Sequence, residues 1–154
     1  MNHMKRTLFL PMAFVFALPV YAQSAAPIVA QQLVDKALAA HPELTVLALH
    51  VTPPAAADNI IIASNIGRIG KKADEDDLSV LDSGKPRVEM TNSGDLSVEV
   101  PMHDAAGQTI GVIGETFRYH AGDDKAKTVG LAEQVRDELA SQTPSLATLF
   151  ERVK

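Results

Sequence analysis

The chain contains no cysteine, which excludes disulfides, a thiol nucleophile and the lipid-attachment cysteine of a lipoprotein. It also has no Gly-x-Ser-x-Gly elbow, no His-Glu-x-x-His and no phosphate-binding loop. Four histidines follow residue 22, and none has a spacing that a catalytic mechanism requires. Beyond Gln23 no stretch is apolar for the roughly 20 residues that a transmembrane helix needs. These absences point to a binding protein with no catalytic residues and no cofactor.

The first 22 residues read as an export signal. Lys5 and Arg6 precede an apolar run from Thr7 to Pro19, broken by Pro11, and Val20-Tyr21-Ala22 offers small residues at the cleavage positions. Cleavage after Ala22 gives a periplasmic protein of 132 residues, enough for one domain at 23–142 and a C-terminal amphipathic helix at 143–154. It keeps 12 Lys and Arg against 19 Asp and Glu, a formal charge near −7. Such a balance opposes nucleic acid and anionic membrane surfaces as partners.

Hydrophobic periodicity supplies the elements. Val29, Leu33, Ala37 and Leu38 recur at helical spacing between Pro27 and His41. Thr45–Val51 and Asn59–Ala63 are apolar runs that read as two strands of a hairpin with a longer loop. Residues 74–83 read as a short helix that begins with acids and ends at Gly84. Strands at 87–91, 96–103 and 109–119 form a meander through Asn92-Ser93-Gly94-Asp95 and residues 104–108. Helices follow at 123–141 and from Thr143-Pro144 onward. This order makes an α+β domain: a five-stranded antiparallel sheet, a leading helix, a short helix between strands two and three, and C-terminal helices.

Between strand two and the short helix lies a basic turn, Asn65-Ile66-Gly67-Arg68-Ile69-Gly70-Lys71-Lys72. Arg68 and Lys71 could hold a carboxylate or phosphate with the backbone N–H groups around Gly67 and Gly70, or simply be neutralised by Glu75, Asp76 and Asp77. Ser64 could donate to the same ligand or cap the turn. Arg87 could clamp a carboxylate or pair with Glu89 or Glu99, and His50 could line the pocket or pack within it. Met90, Met102, His103 and His120 raise a copper or zinc site, but Met102 and His103 point to opposite faces of one strand, so no metal is expected. The run Asp74–Asp77 lacks the alternating oxygens of a calcium loop.

The motif of Asn65 followed by Arg68-Ile69-Gly70-Lys71, together with the run from Val98 to Gly114, resembles the extracytoplasmic PAS-like sensor domains called Cache domains, closest to the single-Cache type. The resemblance covers roughly residues 28–119. It implies a sheet whose concave face, roofed by the short helix, binds a small organic acid or amino acid. Citrate-type sensors have a histidine at the strand exit, where this chain has Ala63-Ser64-Asn65. Such sensors continue through a membrane helix into a kinase or chemoreceptor, whereas this sequence ends at Lys154, so the expected partner is a membrane sensor or transport protein. The resulting expectation is a stand-alone periplasmic module that binds a small anionic metabolite through Ser64, Arg68, Lys71, Arg87 and His50. The alternative is a ligand-free interaction module whose stripe Leu146, Leu149, Phe150, Val153 docks on a membrane sensor or forms a homodimer.

Overall fold

The computed structural model describes residues 27–154, so the leader at 1–22 lies outside the described residues. Helix α1, Val29–Ala40, buries Ala30, Leu33, Val34 and Ala37 on one stripe. It stops ahead of Pro42, where His41 donates its backbone N–H to Ala37 O at 3.0 Å. Strands β1, Leu44–Val51, and β2, Ile60–Ser64, pair antiparallel. The end of the basic turn then folds back along the outer edge of β2: Gly70 donates to Ile61 O at 2.8 Å, and Ile61 donates to Lys71 O at 2.9 Å. A sheet edge that would otherwise be open is thereby partly paired.

Helix α2, Glu75–Ser83, starts with a capping box in which Asp74 Oδ1 accepts from the Asp77 N–H at 3.2 Å and Asp77 Oδ2 accepts from the Asp74 N–H at 3.0 Å. It ends where Gly84 takes the left-handed conformation at φ 66. Strands β3, Arg87–Met90, β4, Leu96–His103, and β5, Thr109–Phe117, complete one antiparallel sheet in the order β2-β1-β5-β4-β3. Helix α3, Lys125–Ser141, is capped by Asp124, whose side chain accepts from the N–H groups of Ala126 and Lys127. No helix among the described residues is long and apolar enough to cross a membrane.

The expected α-helix at 143–154 is a four-residue 3₁₀ turn, Ala147–Phe150. The Thr143 hydroxyl donates to Leu139 O at 2.8 Å and Thr143 O accepts from the Ala105 N–H at 2.8 Å, so the chain is tied down before Pro144 and cannot continue α3. Beyond Phe150 it is extended, and Arg152 bridges Ile28. Leu149 is fully buried, and Leu146 and Phe150 pack against the same core. Most of the stripe expected to dock on a partner is therefore spent inside the domain.

Alternation separates the two faces of the sheet. Leu47, Leu49 and Val51 on β1, Leu96, Val98, Val100 and Met102 on β4, and Ile113 and Phe117 on β5 form the core with α1 and α3. The face is dense enough that a Cβ on Gly111 would collide with the His50 carbonyl and come within 2.8 Å of Val51 Cγ1. Glu115 belongs to this apolar face, flanked in register by Leu47 and Val98. It is 1% exposed and neither carboxyl oxygen has a partner. Burial raises its pKa well above the usual carboxylate range, against the pull of Arg136 on α3, whose guanidinium is held by Asp137 at 2.8 Å.

A buried carboxyl without a hydrogen bond costs more than an apolar side chain of similar size. Glu115→Leu should therefore stabilise the protein at pH 7 by about 1–2 kcal/mol, measured by urea denaturation, and Glu115→Gln should change it little. A marked loss of stability in the leucine variant would mean that the carboxyl makes a bond that the fold needs.

Candidate functional site

On the face opposite the core, the strand register lines up one residue from every strand. Ser64 of β2 faces Ala48 of β1, Ala48 faces Gly114 of β5, Gly114 faces Glu99 of β4, and Glu99 faces Arg87 of β3. Neighbouring strands lie about 4.8 Å apart, so the row is roughly 19 Å long. Its ends are polar and its middle has almost no side chain. Unlike Gly111, Gly114 has room: a Cβ there would meet only His50 Nε2, at 3.7 Å.

Helix α2 lies across this face and is held to it by two consecutive aspartates. Asp76 Oδ2 stands 3.0 Å from Arg87 Nη2 on β3, and Asp77 Oδ2 stands 3.3 Å from His50 Nδ1 on β1. The second pair is buried, with its atoms at ion-pair distance but not aligned for a hydrogen bond. Burial pushes the Asp77 carboxyl up, but His50 and the Asp74 backbone together outweigh it, so the group sits below the usual carboxylate range. Arg87 also touches Glu89 at 2.8 Å and Glu99 at 3.7 Å, and the hydrogen bond to Glu89 chiefly raises its pKa.

Glu99 is the most perturbed titratable group on this face. Its Oε2 is buried without a partner. Desolvation, followed by the charge of Asp77, lifts its pKa from 4.5 to about 7, with Arg87 opposing and Asp74 and Asp76 adding to the rise. Half-burial and a neighbouring carboxylate thus hold a glutamate at the point where it exchanges its proton near neutral pH. Among the described residues no group of three or more His, Asp or Glu is placed to hold a metal ion.

Of the residues singled out from sequence, His50, Ser64 and Arg87 share this face. Ser64 is buried, and its hydroxyl accepts from the Ile66 N–H at 3.1 Å, so it shapes the turn as well as ending the row. Arg68 and Lys71 do not join them: both are exposed on the turn outside β2. Arg68 lies at φ 63 with its carbonyl held by the Lys71 N–H, and Lys71 Nζ is 3.8 Å from Asp74 at the start of α2. Asn65 serves the sheet, its amide bonding Leu47 N and Thr45 O at 3.0 and 2.9 Å. Asp77 and Glu99 were not singled out as site residues, although Glu99 was offered as a partner for Arg87 and stands 3.7 Å from it. Asp77 is legible in retrospect as the third residue of the capping box, one helical step before buried Val80; Glu99 follows from period-two alternation between Val98 and Val100.

A cavity of about 740 Å³ opens elsewhere, beside Phe117, Arg118 and the first turns of α3. Of its three carboxylates, Asp124 caps the helix, Asp123 accepts from the His120 N–H at 2.7 Å, and Glu43 stands 3.9 Å from His41 Nδ1. Its lining includes none of the groups whose pKa is shifted, whereas Asp77, Arg87 and Glu99 come together under α2.

No protein-family model matches the sequence, and no curated protein matches it. Solved structures do share the fold. The GAF domain of a two-component sensor histidine kinase from Bacillus halodurans superposes with a TM-score of 0.51 at 12% identity, over 71% of this chain and 89% of that one. The second GAF domain of DevS from Mycobacterium smegmatis gives 0.50 at 16% identity, over 73% and 92%. The architecture is thus that of GAF and PAS-like domains.

The proton on Glu99 has a thermodynamic consequence. A carboxyl whose folded pKa is raised contributes stability that is complete below about 4.5 and lost as pH climbs through about 7. Glu99→Gln, which keeps the shape and removes the charge, should exceed the parent in stability at pH 8 by on the order of 1–2 kcal/mol, with the gap closing toward pH 4.5. Urea denaturation at the two pH values reads this directly; equal differences at both would mean that Glu99 is not the titrating group.

Proposed function

We propose that the protein is a small-molecule-binding sensor module of the Cache type, exported to the periplasm, whose ligand lies on the row from Ser64 to Arg87 beneath α2. The small residues Ala48 and Gly114 at the middle of the row carry this reading, because a Cβ on Gly114 would meet only His50 Nε2, at 3.7 Å, between polar groups of opposite kinds. The GAF likeness supports it: the Bacillus neighbour is a domain of a sensor histidine kinase.

The ligand is a small metabolite with an acidic group, an organic acid or an amino acid. Arg87 is the cation on the row, and its partners Asp76 and Glu89 are each about half exposed. Exposed ion pairs are worth little, so a ligand carboxylate can take the place of either at small cost. A protonated Glu99 is able to donate a hydrogen bond to the same group. Displacing Asp76 detaches one of the two anchors of α2, and the helix is then free to shift on the remaining His50–Asp77 contact. Lys71 and Arg68, on the turn leading into α2, supply the positive rim that an approaching anion meets first. The change in α2 is what a membrane sensor or transport partner would read, and no reaction is assigned to the protein.

Thermal-shift screening of the mature protein against organic acids and amino acids should find a ligand that raises Tm by roughly 4 °C at about ten times its Kd. Gly114→Val and Arg87→Gln should each abolish that rise, while Gly114→Ala, for which there is space, keeps the parent Tm. A rise that survives Gly114→Val would move the site elsewhere.

Export rests on Lys5, Arg6 and the Val20-Tyr21-Ala22 boundary. Expression of the full chain in a Gram-negative host should give periplasmic protein whose N-terminal sequence begins at Gln23; protein confined to the cytoplasm with Met1 intact would contradict it.

A further inference from the structure

Among the described residues four large apolar side chains are exposed, and three of them, Ile66, Ile69 and Leu78, stand within one stretch of chain, between 41% and 59% exposed. Single apolar residues on a surface are ordinary, whereas a group of them marks a contact. Ile66 and Ile69 belong to the basic turn, whose shape is fixed. The Lys71 N–H donates to Arg68 O at 2.9 Å, and Gly67, Arg68 and Gly70 all take positive φ, at 72, 63 and 86. For an arginine that conformation is strained, so the backbone holds this turn in place at a cost. Leu78 belongs to the outward side of α2. Glu75, Leu78 and Asp82 follow one another at i, i+3 and i+7, which makes one stripe on the side away from buried Asp77 and Val80.

The charges of this surface divide in the same way. The turn carries Arg68, Lys71 and Lys72, and the stripe carries Glu75 and Asp82. Lys71 and Lys72 have carboxylates at hand, Asp74 at 3.8 Å and Asp58 at 2.7 Å. The side chains of Arg68, Glu75 and Asp82 have neither an ion pair nor a hydrogen bond among the described residues. One part of the surface thus offers an unpaired cation beside two isoleucines, and the next part of the chain offers two unpaired anions around a leucine. The two parts complement each other in charge and share an apolar centre.

We propose that this surface is a self-association site on which a second copy of the chain docks about a two-fold axis, the turn at 66–72 of each copy meeting the stripe at 75–82 of the other. Arg68 pairs with Glu75 and Asp82 of the second copy, and Ile66 and Ile69 close over its Leu78. A two-fold contact makes every pairing twice, so one free cation and two free anions per copy are enough. Charge selects this occupant: an anionic membrane or an acidic protein would be drawn to Arg68 and repelled by Glu75 and Asp82. The surface is modest in size, so the expected dissociation constant is about 10–100 µM. Association uses the outer side of α2 and the row from Ser64 to Arg87 its inner side, so the dimer needs no ligand and its test is independent of the proposed function.

Light scattering and sedimentation velocity on the mature chain should show monomer–dimer exchange, with the dimer dominant at about 200 µM and weakened by high salt. Arg68→Asp, a residue type that tolerates the left-handed conformation, should weaken the dimer at least about tenfold, and so should the double variant Glu75→Lys with Asp82→Lys, because each sets like charges against one another. Mixed in equal amounts, these two variants should form a heterodimer of parental affinity, since every pairing is again between opposite charges. Leu78→Ser, at an exposed position, should also weaken the dimer and carries the test should a charge variant fail to fold. A parent that remains monomeric at about 1 mM, a dimer indifferent to Arg68→Asp or Leu78→Ser, or two charge variants that stay apart when mixed would each overturn the proposal. A monomer that sediments with phosphatidylglycerol vesicles would do so as well, by giving the surface to a membrane.

Discussion

Two adjacent carboxylates hold the second layer of this domain in place. Asp76 reaches Arg87 on one edge strand and Asp77 reaches His50 on the strand next to the opposite edge, so the first turn of α2 is pinned across the sheet at two points. Consecutive residues of a helix project about 100° apart, which is why one of the pair is buried while the other is exposed. The buried contact is the durable one. The exposed contact competes with water and with Glu89 and Glu99 for the same guanidinium, so of the two contacts made by this first turn it is the more easily exchanged.

The same residue type on the two sheet faces shows how burial sets chemistry. Glu115 and Glu99 lie on adjacent strands, one rung apart, and both lack an adequate partner for a carboxylate oxygen. Glu115 is sealed beneath α3, and burial raises its pKa well above the usual carboxylate range. Glu99 is only half withdrawn, with Arg87 at 3.7 Å opposing its neighbours, and it titrates near 7. The second is the one that sits near neutrality on a partly exposed side chain, so a change of surroundings beneath α2 can move its proton.

Much of the fold could be read from the chain because its signals are local. Alternating Leu96, Val98, Val100 and Met102 gave β4 and its core face, and Gly84 marked the end of α2. The site was only half legible. His50, Ser64 and Arg87 stand together on the face beneath α2, but their common row depends on pairings across 12 to 66 residues that no local pattern encodes. Arg68 and Lys71 looked like the centre of an anion site because the turn is rich in glycine and charge. Pairing of residues 70–72 with the edge of β2 instead carries them outward. The C-terminal stripe misled for a related reason: helical spacing describes which side chains are buried together, not which partner buries them.

An event under α2 can also be felt on the other side of the sheet, where residues 27–29 pair with residues 151–153. Ser64 ends the row and is also gripped by α1: its N–H donates to Gln31 Oε1 at 3.1 Å, and its carbonyl accepts from Gln31 Nε2 at 3.4 Å. Gln31 is in the first turn of α1, immediately after Ile28, which bridges Arg152, while Val29 donates to Glu151 O and Val153 donates to Pro27 O, at 2.8 and 2.9 Å. One side chain thus joins the end of the row at Ser64 to the paired segments 27–29 and 151–153. Because the Gln31 amide satisfies both backbone groups of Ser64 at once, displacing β2 by even one residue breaks two hydrogen bonds together. A movement of the strand end must therefore drag the start of α1 with it or release it outright, and either result alters the pairing of residues 27–29 with 151–153.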